Sequence, residues 1–510
     1  MVLFIIAAVI LLGSIGVAVK FMYDFFKNPI PLPFKETLKR IAIPAGVFVV
    51  AFLTMMLSIY LWAGIKPNGL ELTSAITGGL LVPALGLVSL FTFIFHYYGT
   101  PKNRGIDEKT DKWLFRILMI CFPLFIASLF WLTEAFANHV HYPLINGLSF
   151  THGFVAPDSG NRPNIAFYAL CILSGAMYAY FLGDHKLYLE YGKHGIGESL
   201  FLVGLPAGIF GARLFYVIGN WNKEFATADN PFLAAINITD GGLTILGGAV
   251  VGVAVGVIWF RWRLRKYNFW LCMDIIAPLI LIGQACGRWG NFFNCEVHGF
   301  EVSAEYFSWL PTFVRNNIVF TSRSGLPVEM AAPGNVFVPL FLIESITNML
   351  GFFVLAHVFG KGLRKYTQFG DIAFGYVVWY GLTRIFMEPL RDTTFNMGNN
   401  DYWSWIWAIC FVVLGSTAIA VNHLVRTIRH PRVVNIKAKI IETVCVSVVS
   451  LGLIIPGIIL MATGTFSSSL VLNSFSWGII LLVLGVSLLL QLMITIPPLF
   501  INKKPETANA

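Results

Sequence analysis

The sequence predicts an all-α polytopic membrane protein with about thirteen transmembrane helices. Its 510 residues are 57% hydrophobic and only 12% charged, and the mean hydropathy is +0.74, far above the range of soluble globular proteins. Long apolar runs recur throughout the chain, each near the 20 or so residues that a helix needs to cross a bilayer. Basic residues gather in alternate loops between these runs, as expected when successive helices cross a membrane.

The apolar runs fall into groups of four, seven and two along the chain. They cover residues 3–25, 41–64, 76–96 and 113–132, then 165–182, 198–219, 241–260, 271–290, 337–360, 371–389 and 403–423, and finally 440–462 and 477–500. The first run has no basic region before it, since the first lysine is Lys20. We therefore interpret it as a membrane helix rather than as a cleaved signal peptide.

The distribution of Lys and Arg between the loops predicts the orientation. One alternate set of loops carries about 24 basic residues and the other set about 6, a clear excess on the side predicted to be cytoplasmic. With thirteen spans this places the N-terminus outside and the C-terminus in the cytoplasm. It also places residues 291–299 and Arg391 at the outer face.

The polar stretch at residues 287–299 reads GRWGNFFNCEVHG and follows the apolar run at 271–290. Arg288 lies close enough to the hydrocarbon to cost about 2.5–3.5 kcal/mol on insertion. A charge at that depth needs a partner or a function, and the anion most available there is a lipid phosphate. The flanking glycines would allow a backbone or a ligand to approach closely.

A second polar group lies in the predicted span at 371–389. Tyr380, Arg384 and Glu388 are spaced i, i+4 and i+8, which places them on one face of a helix. One interpretation is an internal Arg–Glu pair that fixes this helix to a neighbour. The favoured interpretation is that Arg288 and Arg384 share an anion, because guanidinium groups donate to phosphate in a planar, bidentate geometry.

Three further charges fall within apolar runs. Arg213 is either a third ligand of a lipid phosphate or a structural partner of Asp274. Asp274 lies at the cytoplasmic start of its run, so a structural role is favoured for it. Glu344 is expected to pair with one of the arginines, because a lone buried carboxylate is costly.

Cysteine and histidine patterns point to no metal. The seven cysteines have no paired spacing, so we predict neither a disulfide framework nor a zinc site. The ten histidines do not cluster, and only His298 falls in the polar stretch at 287–299. We predict no metal and no cofactor.

Taken together, these residues resemble the bacterial prolipoprotein diacylglyceryl transferases over about residues 165–423, which hold seven of the predicted spans. The family motif Gly-Arg-x-Gly-Asn-Phe-x-Asn-x-Glu-x-x-Gly is complete at 287–299, from Gly287 to Gly299. The late pattern Tyr-Gly-x-x-Arg-x-x-x-Glu with a following Arg is matched at 380–391. Tyr168 and the Gly-x-Arg-x-x-Tyr pattern at 211–216 also resemble family positions.

The resemblance implies a domain organisation. An N-terminal four-helix extension would cover residues 1–136, followed by an outer-face linker at 137–164. The seven-helix transferase core would cover 165–424, with an outer head segment at 291–336. A C-terminal two-helix extension and cytoplasmic tail would cover 425–510.

The resemblance also implies an activity and two partners. Such an enzyme moves the sn-1,2-diacylglyceryl group of phosphatidylglycerol onto the lipobox cysteine of a prolipoprotein, forms a thioether and releases glycerol phosphate. The implied location is the bacterial plasma membrane, with the active site facing the outer leaflet. Because the nucleophile belongs to the substrate, Cys295 would be a bystander.

The residue roles implied by the resemblance fall into three groups. The catalytic group is Arg288, Arg384, Tyr380, Tyr168 and Glu296, with Tyr168, Tyr380, Glu296 and His298 as alternatives for a general base. The phosphatidylglycerol-binding group is Arg288, Asn291, Asn294, Gly299, Arg384 and Arg213. The supporting group is Glu388, Glu344, Asp274 and Arg391.

Two departures from the family pattern keep other functions open. Many relatives have a histidine where this chain has Leu246, so a histidine base at that position is excluded. The usual His-Pro-x-Gln-x-Tyr-Glu is reduced here to the Pro and Glu of 338–344. The alternatives are a catalytically degenerate membrane scaffold, or a transporter in which the intramembrane charges line a path.

Overall fold

We analysed the protein as a computed structural model. It describes residues 2–27, 34–63, 69–98, 106–134, 153–154, 165–226, 230–237, 242, 244–293, 296–310, 312–315, 318–321, 329–391, 401–430, 435–465 and 473–501. The chain divides into two compact units, which we call the N-terminal unit (Met1–Ser174) and the C-terminal unit (Gly175–Ala510). The predicted outer-face linker lies almost entirely outside the described residues.

The N-terminal unit is built from four long helices. They are α1 (Val2–Lys27), α2 (Phe34–Ala63), α3 (Gly69–Tyr98) and α4 (Glu108–Glu134). A two-residue antiparallel ladder of β1 (Gly153–Phe154) and β2 (Ile165–Ala166) precedes α5 (Phe167–Tyr191), which begins in this unit and continues into the next. Helices α2, α3 and α4 each contain one proline, and α1 contains none.

Two layers of buried side chains hold these four helices together. One layer consists of Ala18, Met22, Ile41, Phe95, Ile106 and Leu114, and the other of Met56, Ala75 and Val82. Beside the first layer, the ring of His96 and the carboxylate of Asp111 approach to 2.7 Å and connect α3 with α4. This buried polar contact joins the end of α3 to the start of α4.

The C-terminal unit begins with helices that carry small residues at their contacts. These are α6 (Ile196–Asn220), a π-helical turn (Trp221–Phe225), the short α7 (Pro231–Ile236), α8 (Ile245–Arg263) and α9 (Phe269–Phe293). Gly211 and Gly247 mark the closest approach of α6 and α8, where an added Cβ would lie 2.4–2.6 Å from the facing carbonyl oxygen. Small residues permit this approach because no side chain separates the backbones.

Short elements connect α9 to the next long helix. Strand β3 (Glu301–Ser303) pairs with β6 (Asn335–Phe337), and β4 (Phe320–Thr321) pairs with β5 (Glu329–Met330), all antiparallel. A 3₁₀ turn (Ala304–Phe307) and α10 (Thr312–Arg315) lie between them. This is the predicted outer head segment, and its described part consists of two-stranded ladders and single helical turns.

The rest of the C-terminal unit is again helical. Helix α11 (Leu340–Phe353) continues as a π-helix (Val354–Gly362), and α12 (Asp371–Met387) ends in a 3₁₀ turn (Glu388–Leu390). Then follow α13 (Asp401–Arg429), α14 (Ile436–Thr463), α15 (Ser474–Leu490) and the single turns α16 (Leu492–Thr495) and α17 (Pro497–Phe500). Ile385, Trp405, Ala408, Val412, Ile480 and Val483 form one buried cluster that joins α12, α13 and α15.

The all-α polytopic membrane fold is confirmed. Within the described ranges, ten helices are long and apolar enough to cross a membrane. The other three predicted spans coincide with α5, α8 and α12, of 25, 19 and 17 residues. The total of thirteen spans therefore stays a prediction.

Candidate active site

Three helices of the C-terminal unit bring the intramembrane charges together. Helix α9 packs against both α11 and α12, and Leu281, Leu355 and Ile372 form a buried cluster between them. At Gly351 on α11 an added Cβ would lie 2.2 Å from the Trp379 ring nitrogen, so α11 and α12 approach closely. This packing directs the polar ends of all three helices toward one another.

Glu344 on α11 lies at the centre of the charged group. Its carboxylate forms an ion pair with Arg288 of α9 through Nε. It also lies 3.6 Å from Nη1 of Arg384 on α12 and accepts a hydrogen bond of 3.4 Å from Nη2 of Arg391. Glu344 was expected to pair with one arginine, and it contacts three.

A second buried carboxylate, Glu388, shares two of these arginines. Its Oε1 accepts from Nη1 of Arg384 at 3.1 Å and lies 3.9 Å from Nη1 of Arg391. We call Arg288, Arg384, Arg391, Glu344 and Glu388 the arginine cluster. Among these five side chains three cations face two carboxylates, a net charge of +1, and each carboxylate side chain is at most 6% exposed.

Two polar atoms of the arginine cluster lack a hydrogen bond. Within the described part of the chain, Nε of Arg391 and Oε2 of Glu388 are buried and make none. A buried polar atom without a partner costs about 1–3 kcal/mol, and more when it belongs to a charged group. The unused guanidinium donor and the net positive charge together suit an additional anion.

The polar stretch after Arg288 extends the cluster by two hydrogen bonds. Oδ1 of Asn291 accepts from Nη1 of Arg288 at 3.4 Å, and Nδ2 of Asn291 donates to Oε1 of Glu296 at 3.3 Å. Asn291 therefore links the first arginine to Glu296, which lies beyond the end of α9. Asn294 and Cys295 lie outside the described residues, and Asn294 stays a predicted ligand.

Two tyrosines of α12 line the same region. The Arg384 guanidinium lies 5.5 Å from the centre of the Tyr380 ring, a cation–π distance. The Tyr380 ring stacks at 6.4 Å on that of Tyr376, whose hydroxyl accepts from Nε2 of Gln284 at 3.1 Å. The predicted helical face is thus present, with Tyr380, Arg384 and Glu388 in consecutive contact.

A small cavity lies at the centre of this arrangement. It has a volume of about 10 Å³ and is lined by Gln284, Arg288, Glu344, Thr347, Asn348, Tyr380, Thr383, Arg384 and Met387. That is room for about one water molecule. A phosphate group is larger, so binding one here requires side chains of the arginine cluster to move apart.

The backbone beside Arg391 is fixed by Gly299. The two residues form an isolated antiparallel β-bridge, and the Gly299 N–H donates to the Val338 carbonyl at 2.9 Å. An added Cβ on Gly299 would lie 2.6 Å from the Leu390 carbonyl oxygen and 2.7 Å from the Val338 Cβ. Gly299 thus allows three chain segments to meet next to the arginine cluster.

His298, a candidate base, is buried against this same junction. Its ring lies 4.1 Å from that of Phe337, and its Nδ1 is 2.9 Å from the Gly299 carbonyl oxygen. Because a carbonyl only accepts, Nδ1 carries the proton in this contact. In this tautomer Nε2 is the ring nitrogen that carries the basic lone pair.

Arg213 and Asp274 have different partners from each other. The Arg213 guanidinium donates to the carbonyls of Ala234, Ala235 and Gly242 at 2.7, 2.9 and 3.0 Å, so it holds the end of α7 and the approach to α8. These three hydrogen bonds go to backbone carbonyls and none of them to Asp274, and the pairing with Asp274 stays a prediction. The contacts of Arg213 are structural, and its proposed role as a phosphate ligand is untested.

Asp274 holds the start of α12 instead. Oδ2 accepts from the N–H of Gly370 at 2.8 Å, and Oδ1 accepts from Ile372 and Ala373 at 3.1 and 3.0 Å. These N–H groups belong to the first turn of a helix and have no partner within it. Asp274 thus caps α12 from α9, in keeping with the structural role favoured for it.

The structure brings eight predicted residues into one connected group: Arg288, Asn291, Glu296, Glu344, Tyr380, Arg384, Glu388 and Arg391. Tyr168 belongs to the N-terminal unit, and its role stays a prediction. The sequence analysis did not single out Gln284 and Asn348, which line the cavity. Their spacing offered a signal, because Gln284 precedes Arg288 by four residues and Asn348 follows Glu344 by four.

The fold and the site together define a polytopic membrane protein with a buried, arginine-rich centre between three helices. Comparison with known proteins names the family. The family model of the prolipoprotein diacylglyceryl transferases matches residues 161–421, just over half of the chain. The chain therefore belongs to the prolipoprotein diacylglyceryl transferase family.

Individual relatives agree with this assignment. The phosphatidylglycerol–prolipoprotein diacylglyceryl transferase of Clostridium novyi (strain NT) is 34% identical over 263 residues, which is 51% of this chain and 92% of the relative. The protein of the same name from Shouchella clausii (strain KSM-K16) is 35% identical over 255 residues, or 49% and 83%. The matched segments cover most of each relative but only about half of this chain.

Proposed function

We propose that this chain is a phosphatidylglycerol–prolipoprotein diacylglyceryl transferase. It moves the sn-1,2-diacylglyceryl group of phosphatidylglycerol onto the cysteine thiol of a prolipoprotein. The observation that carries this proposal is the arginine cluster, which has one net positive charge and an unused donor on Arg391. It lies in the segment that matches the family.

The reaction forms one bond and breaks another. The cysteine sulfur attacks the carbon of the diacylglyceryl group that bears the phosphate. A C–S bond forms, and the C–O bond between this carbon and the phosphate breaks. The bonding electrons leave on the phosphate oxygen, so glycerol phosphate departs with an additional negative charge. The thiol proton passes to a base or to water.

The arginines stabilise the charge that develops on the leaving phosphate. Removing one donor that stabilises charge developing in the transition state typically costs about 10²–10³ in kcat. Arg288 and Arg384 meet the phosphate by giving up part of their contact with Glu344. Asn291 orients the phosphate or the glycerol head, since its side chain already contacts Arg288.

The nucleophile is activated by the same charges. A free thiol has a pKa of about 8.5, and nearby guanidinium groups lower it by stabilising the thiolate. The candidates that would accept the proton are Tyr380, Tyr168, Glu296 and His298. Of these, Tyr380 has its ring centre 5.5 Å from the Arg384 guanidinium, and Glu296 is connected to the arginine cluster through Asn291.

Three finer features belong to the same proposal. The cysteine is that of a lipobox, presented at the membrane surface. The protein lies in the bacterial plasma membrane with its C-terminus in the cytoplasm, as the excess of basic residues in alternate loops supports. The arginine cluster then faces the outer leaflet.

The test is lipidation of a lipobox-cysteine peptide by the purified protein in phosphatidylglycerol vesicles, measured by intact mass. We expect a mass gain of one diacylglyceryl group, which Arg384→Ala abolishes. Arg116→Ala on α4, where the side chain is exposed, is the control and retains transfer. No mass gain with the wild-type protein, under conditions in which a relative is active, would contradict the proposal and favour a membrane scaffold.

A further inference from the structure

The N-terminal unit contains a large apolar cavity that the transferase chemistry does not use. Its volume is about 1030 Å³, and its walls come from α1, α2 and α3 with one residue, Phe125, from α4. Ligand pockets in proteins generally occupy about 300–1,000 Å³, so this one is at the upper end of that range. All of its lining residues lie within helices apolar enough to cross a membrane.

The shape of the cavity suits a long, flexible chain. Along α3 the lining extends from Val82 to Ile94, which is about 18 Å at 1.5 Å per residue. That is more than half of the bilayer's hydrocarbon thickness of about 30 Å. The walls include Ala18 and Met22 of the first buried layer and Val82 of the second, and they also include Val19 and Tyr23, which are more than half exposed.

Helix sequence explains why space is left here. Pro44 of α2 and Pro83 of α3 both line the cavity, and a proline inside a helix removes a backbone hydrogen bond and bends the helix. Small residues, Ala18, Ala45 and Gly86, then face the interior where larger side chains would fill it. The cavity is therefore built into the helices.

The chemistry of the walls selects an alkyl chain. Apart from Tyr23, the only hydroxyl in the lining is that of Ser14, which donates to the Leu11 carbonyl at 2.8 Å. The remaining lining side chains are apolar. A ligand with polar groups along its length would lose its hydrogen bonds to water without replacing them, whereas an acyl chain has none to lose.

Basic residues flank one end of the cavity. Lys20 lies within the lined part of α1, between the lining residues Val19 and Met22, whereas Arg40 precedes Pro44 by four positions on α2, about one helical turn beyond the lining. This is the end predicted to be cytoplasmic. Cations at a membrane surface attract anionic lipid headgroups.

We propose that this cavity binds an acyl chain of an anionic phospholipid whose headgroup lies beside Lys20 and Arg40. It is a lipid site of the N-terminal unit, formed by residues outside the family-matched segment. The lipid held here is bound as an intact molecule, and no bond in it is made or broken.

The experiment uses the full-length protein in vesicles that contain phosphatidylglycerol with a photoactivatable diazirine in one acyl chain. After irradiation and digestion, we expect cross-links on lining residues of α1–α3. Ala45→Trp fills the cavity, so cross-linking there falls about tenfold, as a loss of about 1.4 kcal/mol of binding implies. Ile43→Trp, at a position of the same helix that faces away from the lining residues and is 76% exposed, is the control and leaves cross-linking unchanged.

Two further arms separate the possible occupants. A phosphatidylcholine probe with the same photoactivatable chain should cross-link less than the phosphatidylglycerol probe. The double variant Lys20→Gln, Arg40→Gln should remove this difference in cross-linking between the two lipids. Equal labelling by both lipids in the wild-type protein would overturn the headgroup assignment. If a prolipoprotein signal peptide with a photoactivatable side chain labels the lining residues and the lipid does not, the proposal is wrong.

The result does not depend on the substituted protein or on transfer activity. If Ala45→Trp does not fold, the wild-type cross-link map decides, because labelling absent from α1–α3 overturns the proposal. Diacylglyceryl transfer is measured on the same samples. Cavity labelling without transfer would count against the proposed function alone, and transfer without cavity labelling would count against the lipid site alone.

Discussion

Gly299 and Arg391 form an antiparallel β-bridge that fixes the backbone of Arg391, whose guanidinium belongs to the arginine cluster. They are 92 residues apart in the sequence, one in the motif that follows α9 and the other just after α12. The bridge lies where the backbone at Leu390 and the side chain of Val338 also approach Gly299. The position of Arg391 therefore depends on a residue that has no side chain.

We predict that Gly299→Ala lowers diacylglyceryl transfer by about a hundredfold. The new methyl group cannot lie 2.6 Å from the Leu390 carbonyl oxygen, so the segment carrying Arg391 must shift, and displacement by about 1 Å can cost that much in rate. Gly219→Ala is the control, because an added Cβ there has no neighbour within 4 Å. Equal loss of transfer in both variants would contradict the prediction.

We predict that Arg384→Lys lowers kcat/KM by about 10²–10³ while the protein remains folded. Lysine keeps the charge but replaces the planar, multi-donor guanidinium with a single ammonium, so Glu344, Glu388 and a phosphate can no longer be held together. Transfer kinetics in phosphatidylglycerol vesicles measure the change. Near-wild-type kinetics would show that charge alone is sufficient at this position.

Arg213→Lys separates a structural arginine from a phosphate ligand. We expect the free energy of unfolding to fall by about 1–3 kcal/mol, because a lysine cannot donate at once to Ala234, Ala235 and Gly242 in the geometry of a guanidinium. The loss of transfer activity per folded molecule should be smaller in Arg213→Lys than in Arg384→Lys. A large rise in KM for phosphatidylglycerol, without a change in stability, would instead establish Arg213 as a lipid ligand.

Glu344→Gln should destabilise the protein by about 3–5 kcal/mol, because three buried arginines would then lose the carboxylate that they share. Added phosphatidylglycerol should restore part of this loss, since its phosphate replaces the missing negative charge. Thermal unfolding in nanodiscs with and without that lipid measures both effects. The control is Glu108→Gln, which removes an exposed pair with Lys112 and should change stability little. Equal stability of the two variants would argue against a shared counter-charge at Glu344.

The local features of the fold and the site could be predicted from the sequence. A run of apolar residues forms a membrane helix whatever lies beside it, because every backbone polar group must be satisfied within the segment. Each predicted run accordingly coincides with helical structure, although α5 extends to Tyr191, beyond the predicted end at 182, and α2 and α3 begin seven residues before their predicted starts. The last run, 477–500, is divided among α15, α16 and α17. Tyr380, Arg384 and Glu388 share a face for the same local reason, since helical periodicity fixes which side chains are neighbours.

Contacts between helices could not be predicted in this way. Glu344 contacts Arg288, Arg384 and Arg391, and it lies on a different segment of the chain from each of them. Nothing in the spacing of these residues shows that one carboxylate would contact all three arginines. The sequence also left Arg213 undecided between two roles, and only the structure shows that its guanidinium donates to the carbonyls at the end of α7.

The sequence by itself therefore determined the membrane class, the helices, the family resemblance and the residue types of the site. Tertiary structure decided which charges meet, that Asp274 caps α12, and that the N-terminal helices leave an apolar cavity between them. The physical reason is the separation along the chain of the residues that determine each feature. Helix formation and insertion depend on residues within a few turns of one another, whereas the position of a buried charge or cavity depends on how distant helices pack.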